Sequence, residues 1–405
     1  MLIYAPQITP RILYTFRVIF ERILNCSVNF TTNIDDFLVS AEPKMAYSAH
    51  KIETPIWMEA TPLLFEDIIV KQNIIPKKWE NTTLFFPTKN GNFPVDFVAV
   101  IFFLISRYEE YYEDNILDKH GRFQCQYSVA YQLGWHRKLM VHRLALALAQ
   151  IIKTNYPQFV WFISHFGELS THDVDMAFQY KGKTWWRGCA AIANALLKLR
   201  FQHAQNLLKV MFGKEIADPF DNFEPENNVL KPIYFIPTSP FGKYDKNIST
   251  KGKVFKELIN RLKEFAEIGI HPSYHSSRKI SLIAKEKKRL EDISQLTATK
   301  SRQHYLRFRF PDTFQALIKA GITDDYSLGW ATDAGFRASI AVPYPFFDVR
   351  KNEETALMLH PLAFMDGIFN KNEEETILNE LRKEVKNRGG ELILLSHNSN
   401  VMRTC

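Results

Sequence analysis

The chain has 405 residues, 46% apolar and 23% charged, with a formal net charge of +7. Those proportions describe folded protein and exclude a disordered or low-complexity chain. The most apolar run, residues 97–105, falls far short of the roughly 20 that a crossing helix needs, which excludes a membrane span, and the positive excess is local, fifteen Lys and Arg against six Asp and Glu in residues 251–310.

The length exceeds what one core usually holds, so two domains are expected, 1–155 and 156–405. The first reads as a smaller α/β unit with short strands, one at 83–86, and a helix that Asp96 caps, along which Phe97, Ile101, Leu104 and Ile105 keep helical spacing. Arg107, Glu109 and Glu110 follow as a helix end with self-paired charges. From about 160, short apolar strands alternate with helices, the order that builds parallel α/β architecture. Strands are expected at 169–172, 233–236, 266–271, 301–306, 339–342, 356–359 and 392–396, and helices at 185–212, 253–265, 281–294, 311–320 and 373–387. Four of the fifteen fall on the 281–294 helix, where apolar spacing puts the charges on a solvated face, so no nucleic-acid partner is expected; a basic rim for anionic glycans or nucleotide-linked sugars is the alternative. Cys26, Cys125, Cys189 and Cys405 include no Cys-x-x-Cys pair, and the N-terminus lacks a signal pattern, so a reduced, cytoplasmic protein is expected.

Two segments carry chemistry. Asp173 and Asp175 form an Asp-x-Asp just past the first strand of the second half. Carboxylates so close repel one another unless a cation or an Arg intervenes or one holds a proton. About a hundred residues later comes Glu267-Ile268-Gly269-Ile270-His271-Pro272-Ser273-Tyr274-His275. His271 and His275 are i and i+4, so a helical turn would place both rings on one face, and Gly269 and Pro272 are suited to a strand end and a helix start. One carboxylate and two imidazoles leave a metal ion a position for water, and the other carboxylate can take that water's proton. His172 and His304 are rival ligands ranked lower, because they lack the paired spacing. His397, past the last strand, could protonate a leaving group, and Arg302 could pin a catalytic carboxylate. The plain alternatives are helix-capping aspartates, solvated histidines and surface arginine. Tyr274, Tyr305, Trp330 and Tyr344 could stack on a sugar, although core packing suits most of them.

In order along residues 165–400, Thr171-His172-Asp173-Val174-Asp175, the Glu267–His275 segment and Leu394-Leu395-Ser396-His397 resemble the motifs of the polysaccharide deacetylases, the nodulation-protein-B homology domains of carbohydrate esterase family 4. Ser106-Arg107-Tyr108-Glu109-Glu110-Tyr111 with His120-Gly121-Arg122-Phe123 resembles an extra domain that precedes this one in a bacterial subfamily. The resemblance implies a distorted (β/α)7 barrel and a divalent ion, zinc first, with cobalt, nickel or manganese as alternatives. It implies Asp175, His271 and His275 as ligands, Asp173 as general base with Arg302 as its partner, and His397 as general acid. Val174 separates aspartates that are adjacent in the family, so base and ligand could exchange. The implied function is removal of an N-acetyl or O-acyl group from an amino sugar of a polysaccharide or its precursor. Another amide or a phosphoester as substrate, or a non-catalytic glycan-binding barrel, are the alternatives.

Overall fold

The computed structural model of the chain describes residues 1–225 and 230–400. In the N-terminal part, β1 (Leu2–Tyr4), β2 (Asn29–Thr31), β3 (Lys44–Ser48) and β4 (Trp57–Glu59) form a parallel sheet in the order β2-β1-β3-β4. Parallel neighbours need crossovers, and α1 (Pro10–Arg17) and α2 (Ile34–Val39) supply two of them. Thr9 and Asn33 start these helices by accepting backbone N–H bonds, and Pro10 occupies the first turn of α1. A hairpin, β5 (Lys77–Trp79) with β6 (Thr82–Leu84), precedes α3 (Phe97–Ile105), α4 (Val129–Gln132) and α5 (Met140–Asn155). Asp96 caps α3 by accepting the Ala99 N–H. Being apolar on every side, α3 is buried on every side.

The second part is built on nine strands: β7 (Phe166–Asp173), β8 (Ile233–Ile236), β9 (Glu267–Ile270), β10 (Lys300–Ser301), β11 (Asp324–Asp325), β12 (Tyr344–Asp348), β13 (Glu353–Leu359), β14 (Leu362–Met365) and β15 (Gly390–His397). Their order is β12-β13-β11-β10-β9-β8-β7-β15-β14, and β12 with β13 is the antiparallel pair in a sheet that is otherwise parallel. Around it lie α6 (Trp185–Leu197), α7 (Phe201–Met211), α8 (Lys253–Phe265), α9 (Ser281–Ser294), α10 (Asp312–Lys319) and α11 (Lys371–Arg388). The sheet curls into a half-barrel. Among the described residues no ladder joins β12 to β14, while the Leu362 N–H at the β14 edge donates to the Leu328 carbonyl beyond β11, at 3.0 Å. Leu169, Phe235, Tyr326, Leu362 and Leu395 form one buried cluster within the curl.

Three expected elements differ. The strand at 301–306 stops at Ser301: the Gln303 N–H turns to the Ser327 hydroxyl, and a tight turn with φ +62° at Tyr305 follows. The helix at 185–212 breaks at Leu199, which adopts φ +55°. The segment 339–342 is not a strand; the sheet takes Tyr344–Asp348 instead.

The largest apolar cluster spans both parts, joining Tyr14, Phe102 and Tyr108 to Phe346 and Phe347. Polar ties cross the same boundary. Arg107 binds Glu109 and Glu110 at 2.8 Å each, and Glu110 also takes Arg337 from the far side, Nε to Oε1 at 2.9 Å and Nη2 to Oε2 at 2.5 Å; all four side chains are buried. The helix-end pairing expected at Arg107 is therefore part of a four-membered network shared with the second part. Among the described residues no helix is long and apolar enough to cross a membrane.

Candidate metal and active site

The parallel strands deliver the polar residues of interest to one end of the sheet. Asp173 is the last residue of β7, and Asp175 lies two beyond it. His271 is the first residue after β9, its N–H still donating to the Ile236 carbonyl of β8 at 3.0 Å. Arg302 is the first after β10, donating to Ile270 O at 3.1 Å. In α/β architecture this carboxyl end is where active sites form. Gly269 makes the tight pairing possible, since a Cβ there would stand 2.6 Å from Phe235 Cε1.

Asp175 Oδ1 lies 3.1 Å from His271 Nε2 and 3.2 Å from His304 Nε2. The outer nitrogens of both rings face acceptors: His271 Nδ1 is 2.6 Å from the Arg302 carbonyl, and His304 Nδ1 is 2.9 Å from Asp245 Oδ1. Acceptors there place a proton on Nδ1, so both Nε2 atoms are the ring positions turned to Asp175, where a cation could take the place of a proton. Rings that ligate metals are held this way, with the outer N–H on a carbonyl or carboxylate. Asp173 sits beside them, its Oδ2 3.7 Å from His271 Nε2 and its Oδ1 3.2 Å from Arg302 Nη1, which also donates to Thr171 Oγ1 at 2.7 Å. On the opposite side His397 presents Nε2 3.8 Å from Asp175 Oδ2, with Nδ1 held 2.6 Å from Asp366 Oδ1.

The charge balance is uneven. Asp173 pairs with Arg302, whereas Asp175 and Asp245 face imidazoles. Burial opposes the charge on Asp175, yet His304 and His271 outweigh it and hold the carboxyl well below the usual carboxylate range. Burial likewise disfavours a charged His304, but Asp175 and Asp245 drive that ring up to about 10. His397 rises to about 9 against its own burial, chiefly through Asp366, with Asp175 and Asp173 adding. Rings that hold protons this tightly mark a place that demands positive charge, and a divalent cation meets the same demand. The donor set of Asp175, His271 and His304 therefore fits a metal ion, and zinc's preference for nitrogen and oxygen ligands matches it.

Four of the six expected site residues, Asp173, Asp175, His271 and Arg302, form this constellation, with His397 at its edge. His275 does not join it. The expected helical turn is absent: residues 274–278 form a turn, α9 begins only at Ser281, and the His275 side chain is exposed. Glu286 grips the Ser273 N–H and hydroxyl, at 2.8 and 2.6 Å, and Asp245 accepts the Tyr274 N–H, which diverts the backbone before His275 can point inward. His304 stands where the second imidazole was expected. Its turn is strained, Tyr305 having φ +62° and Leu306 +49°. Asp245 and Asp366, which orient the two outer histidines, were not singled out from sequence.

The mouth is lined by aromatic rings. Tyr244 and Tyr274 stack at 3.8 Å between centroids, and Tyr305 meets Tyr274 at 5.3 Å. His120, from the N-terminal part, bonds the Tyr274 hydroxyl at 3.0 Å, and Arg122 donates to the Tyr305 carbonyl at 2.8 Å. Trp330 and Tyr344 are buried, in keeping with a packing role. A second group, Cys125, His136 and Asp333, is a poorer donor set: burial pushes the thiol up to about 12, and Arg137 and the Ala334 N–H already engage Asp333 Oδ1, at 3.0 and 2.7 Å.

Residues 1–157 match the family model described as a family of unknown function, DUF7033. No curated protein matches the chain. Among solved structures, the chain is similar to one from Mycobacterium smegmatis, provisionally assigned as a polysaccharide deacetylase, at 14% identity over 58% of this chain and 78% of that one, with a TM-score of 0.33. A likeness that weak carries no argument for activity, and the functional reading stands on the site.

Proposed function

We propose that the chain is a metal-dependent hydrolase that removes an acyl group, N-acetyl first, from an amino sugar of a glycan or its precursor. The observation that supports this best is the convergence of Asp175, His271 and His304 on one point, with a second, arginine-held carboxylate on one side and an aspartate-held imidazole on the other. The motif order of the sequence points to the same chemistry.

A divalent ion held by Asp175, His271 and His304 would supply Lewis acidity toward a water and an amide carbonyl. Asp173 is the general base: Arg302 fixes its Oδ1, leaving Oδ2 to accept a proton from the attacking water. This assigns the ligand role to Asp175, whose Oδ1 already lies between two imidazoles. As the water oxygen bonds to the carbonyl carbon and the C–N bond breaks, His397 gives its Nε2 proton to the departing amine, and Asp366 keeps that ring charged and oriented. Acetate and a free amine leave. Tyr305, 38% exposed, and the half-buried Tyr244 offer sugar rings a stacking surface, with buried Tyr274 packed behind Tyr244 and its hydroxyl held by His120.

Acetate release from N-acetylated glucosamine oligomers tests the reading. The protein should lose release on chelation and regain it with zinc or cobalt. Release of phosphate from phosphoesters, or of ammonia from cyclic amides, with no acetate release would replace it with another hydrolysis, and stoichiometric metal with saccharide binding but no turnover would replace it with a binding function.

A further inference from the structure

α6 and α7 form a hairpin whose outward side is unlike that of the other helices around the half-barrel. α8 turns Lys253, Lys256, Glu257 and Glu264 to solvent, and α9 turns Lys285, Lys288 and Asp292. α6 instead exposes Trp185, Trp186, Ala190, Ala193, Leu196 and Leu197, which share one face at helical spacing. Trp185 is 73% exposed, Trp186 61% and Leu197 85%. The turn adds Leu199, and α7 with the residue that ends it adds Phe201 and Phe212, 64% and 78% exposed. Phe241, 45% exposed, meets Trp186 at 6.4 Å between centroids. Scattered exposed leucines need no explanation, but a contiguous apolar face with two tryptophans does.

Charge says what covers it. From residue 176 to 214 there are seven Lys and Arg and no Asp or Glu. Lys181 pairs with Asp221, and Arg187 donates to the Asn247 carbonyl, but Lys198, Arg200, Lys209 and Lys214 enter no ion pair among the described residues. A self-associating face would bring these like charges together. A face of Trp, Leu and Phe flanked by unopposed cations suits a surface that is apolar within and anionic without, which is the boundary of an acidic lipid bilayer. We propose that the α6–α7 hairpin, with Phe241, docks the protein on anionic membranes, lying in the interface and not crossing it. The loop that carries Phe241 also carries Tyr244 and Asp245 of the site, so docking would hold the mouth near the lipid surface. That consequence depends on the hydrolase reading; the docking does not.

Flotation of the full-length protein with vesicles tests it without any activity. Binding is expected to vesicles containing phosphatidylglycerol, with at least tenfold weaker binding to pure phosphatidylcholine and a steep loss on raising salt. Trp186→Glu and Leu197→Glu, both exposed, should each weaken binding at least tenfold, and Lys198→Glu with Arg200→Glu should do so while leaving the apolar face intact. Unchanged circular dichroism and thermal unfolding certify the fold. Absence of vesicle binding, binding indifferent to lipid charge, or a solution dimer that Leu197→Glu dissolves would overturn the proposal, the last by assigning the face to a second copy of the chain.

Discussion

Two places in this molecule bury several charges together, and they are built differently. At the junction of the two parts, Arg107 and Arg337 face Glu109 and Glu110, two charges of each sign, with Glu110 gripped from both sides. At the end of the parallel strands, Arg302 answers Asp173 alone, while Asp175 is met by imidazoles, and Nε2 atoms stand 3.1 to 3.8 Å from carboxylate oxygens. A balanced network closes on itself and fixes how elements pack. An unbalanced one, whose imidazoles gain protons to answer the carboxylates, offers a cation a place to replace those protons. The contrast separates a structural use of buried ions from a chemical one.

The contrast can be broken most severely at the ligands. Asp175→Ala is expected to lose the metal and to reduce hydrolysis to the background rate, with folding retained; metal content and acetate release read both. His397→Ala should keep the metal and lower kcat by roughly 10² to 10⁴, the usual worth of a general acid. At the junction the signs reverse. Glu110→Ala leaves Arg107 and Arg337 buried with too little negative charge, and is expected to cost about 3 to 5 kcal/mol in denaturant unfolding while metal stoichiometry holds.

A pH measurement sharpens the same division. His142 of α5 accepts the Ala341 N–H at Nε2 and faces the Arg388 carbonyl through Nδ1, pinning the N-terminal part to the second. Burial depresses this ring from 6.5 to about 4. The unfolded chain therefore takes up a proton near pH 6.5 that the folded chain refuses. Stability from this group is unaffected above that pH and falls as pH drops from 6.5 towards 4, by roughly 3 kcal/mol in all. Unfolding free energies of wild type and His142→Gln across that window should differ in slope; equal slopes would remove His142 from the account.

Much of the scaffold was legible because it is local. The helices at 253–265 and 281–294 and the strand at 233–236 match the expected bounds, and Asp96 caps α3, since spacing and caps are written in adjacent residues. Asp173, Asp175 and His271 stood out because a strand end precedes them. His304 ranked lower for want of a sequence partner: the ring beside it, His271, lies past the neighbouring strand end, and only strand pairing brings the two together. His275 lies apart from the cluster because i,i+4 spacing implies proximity only on a helix, and Glu286, from the following helix, fixes a different turn. Asp245 and Asp366 lie in loops with no motif around them. His304 and Asp366 each follow shortly after a short strand, which is the signal that could have found them.

In the proposed function His304, and not His275, completes the ligand set with Asp175 and His271. Metal content of purified His304→Ala and His275→Ala tests it directly. The account predicts that His304→Ala loses the divalent ion, while His275→Ala keeps it at wild-type stoichiometry with stability within about 0.5 kcal/mol. Loss of the ion in His275→Ala with retention in His304→Ala would contradict it.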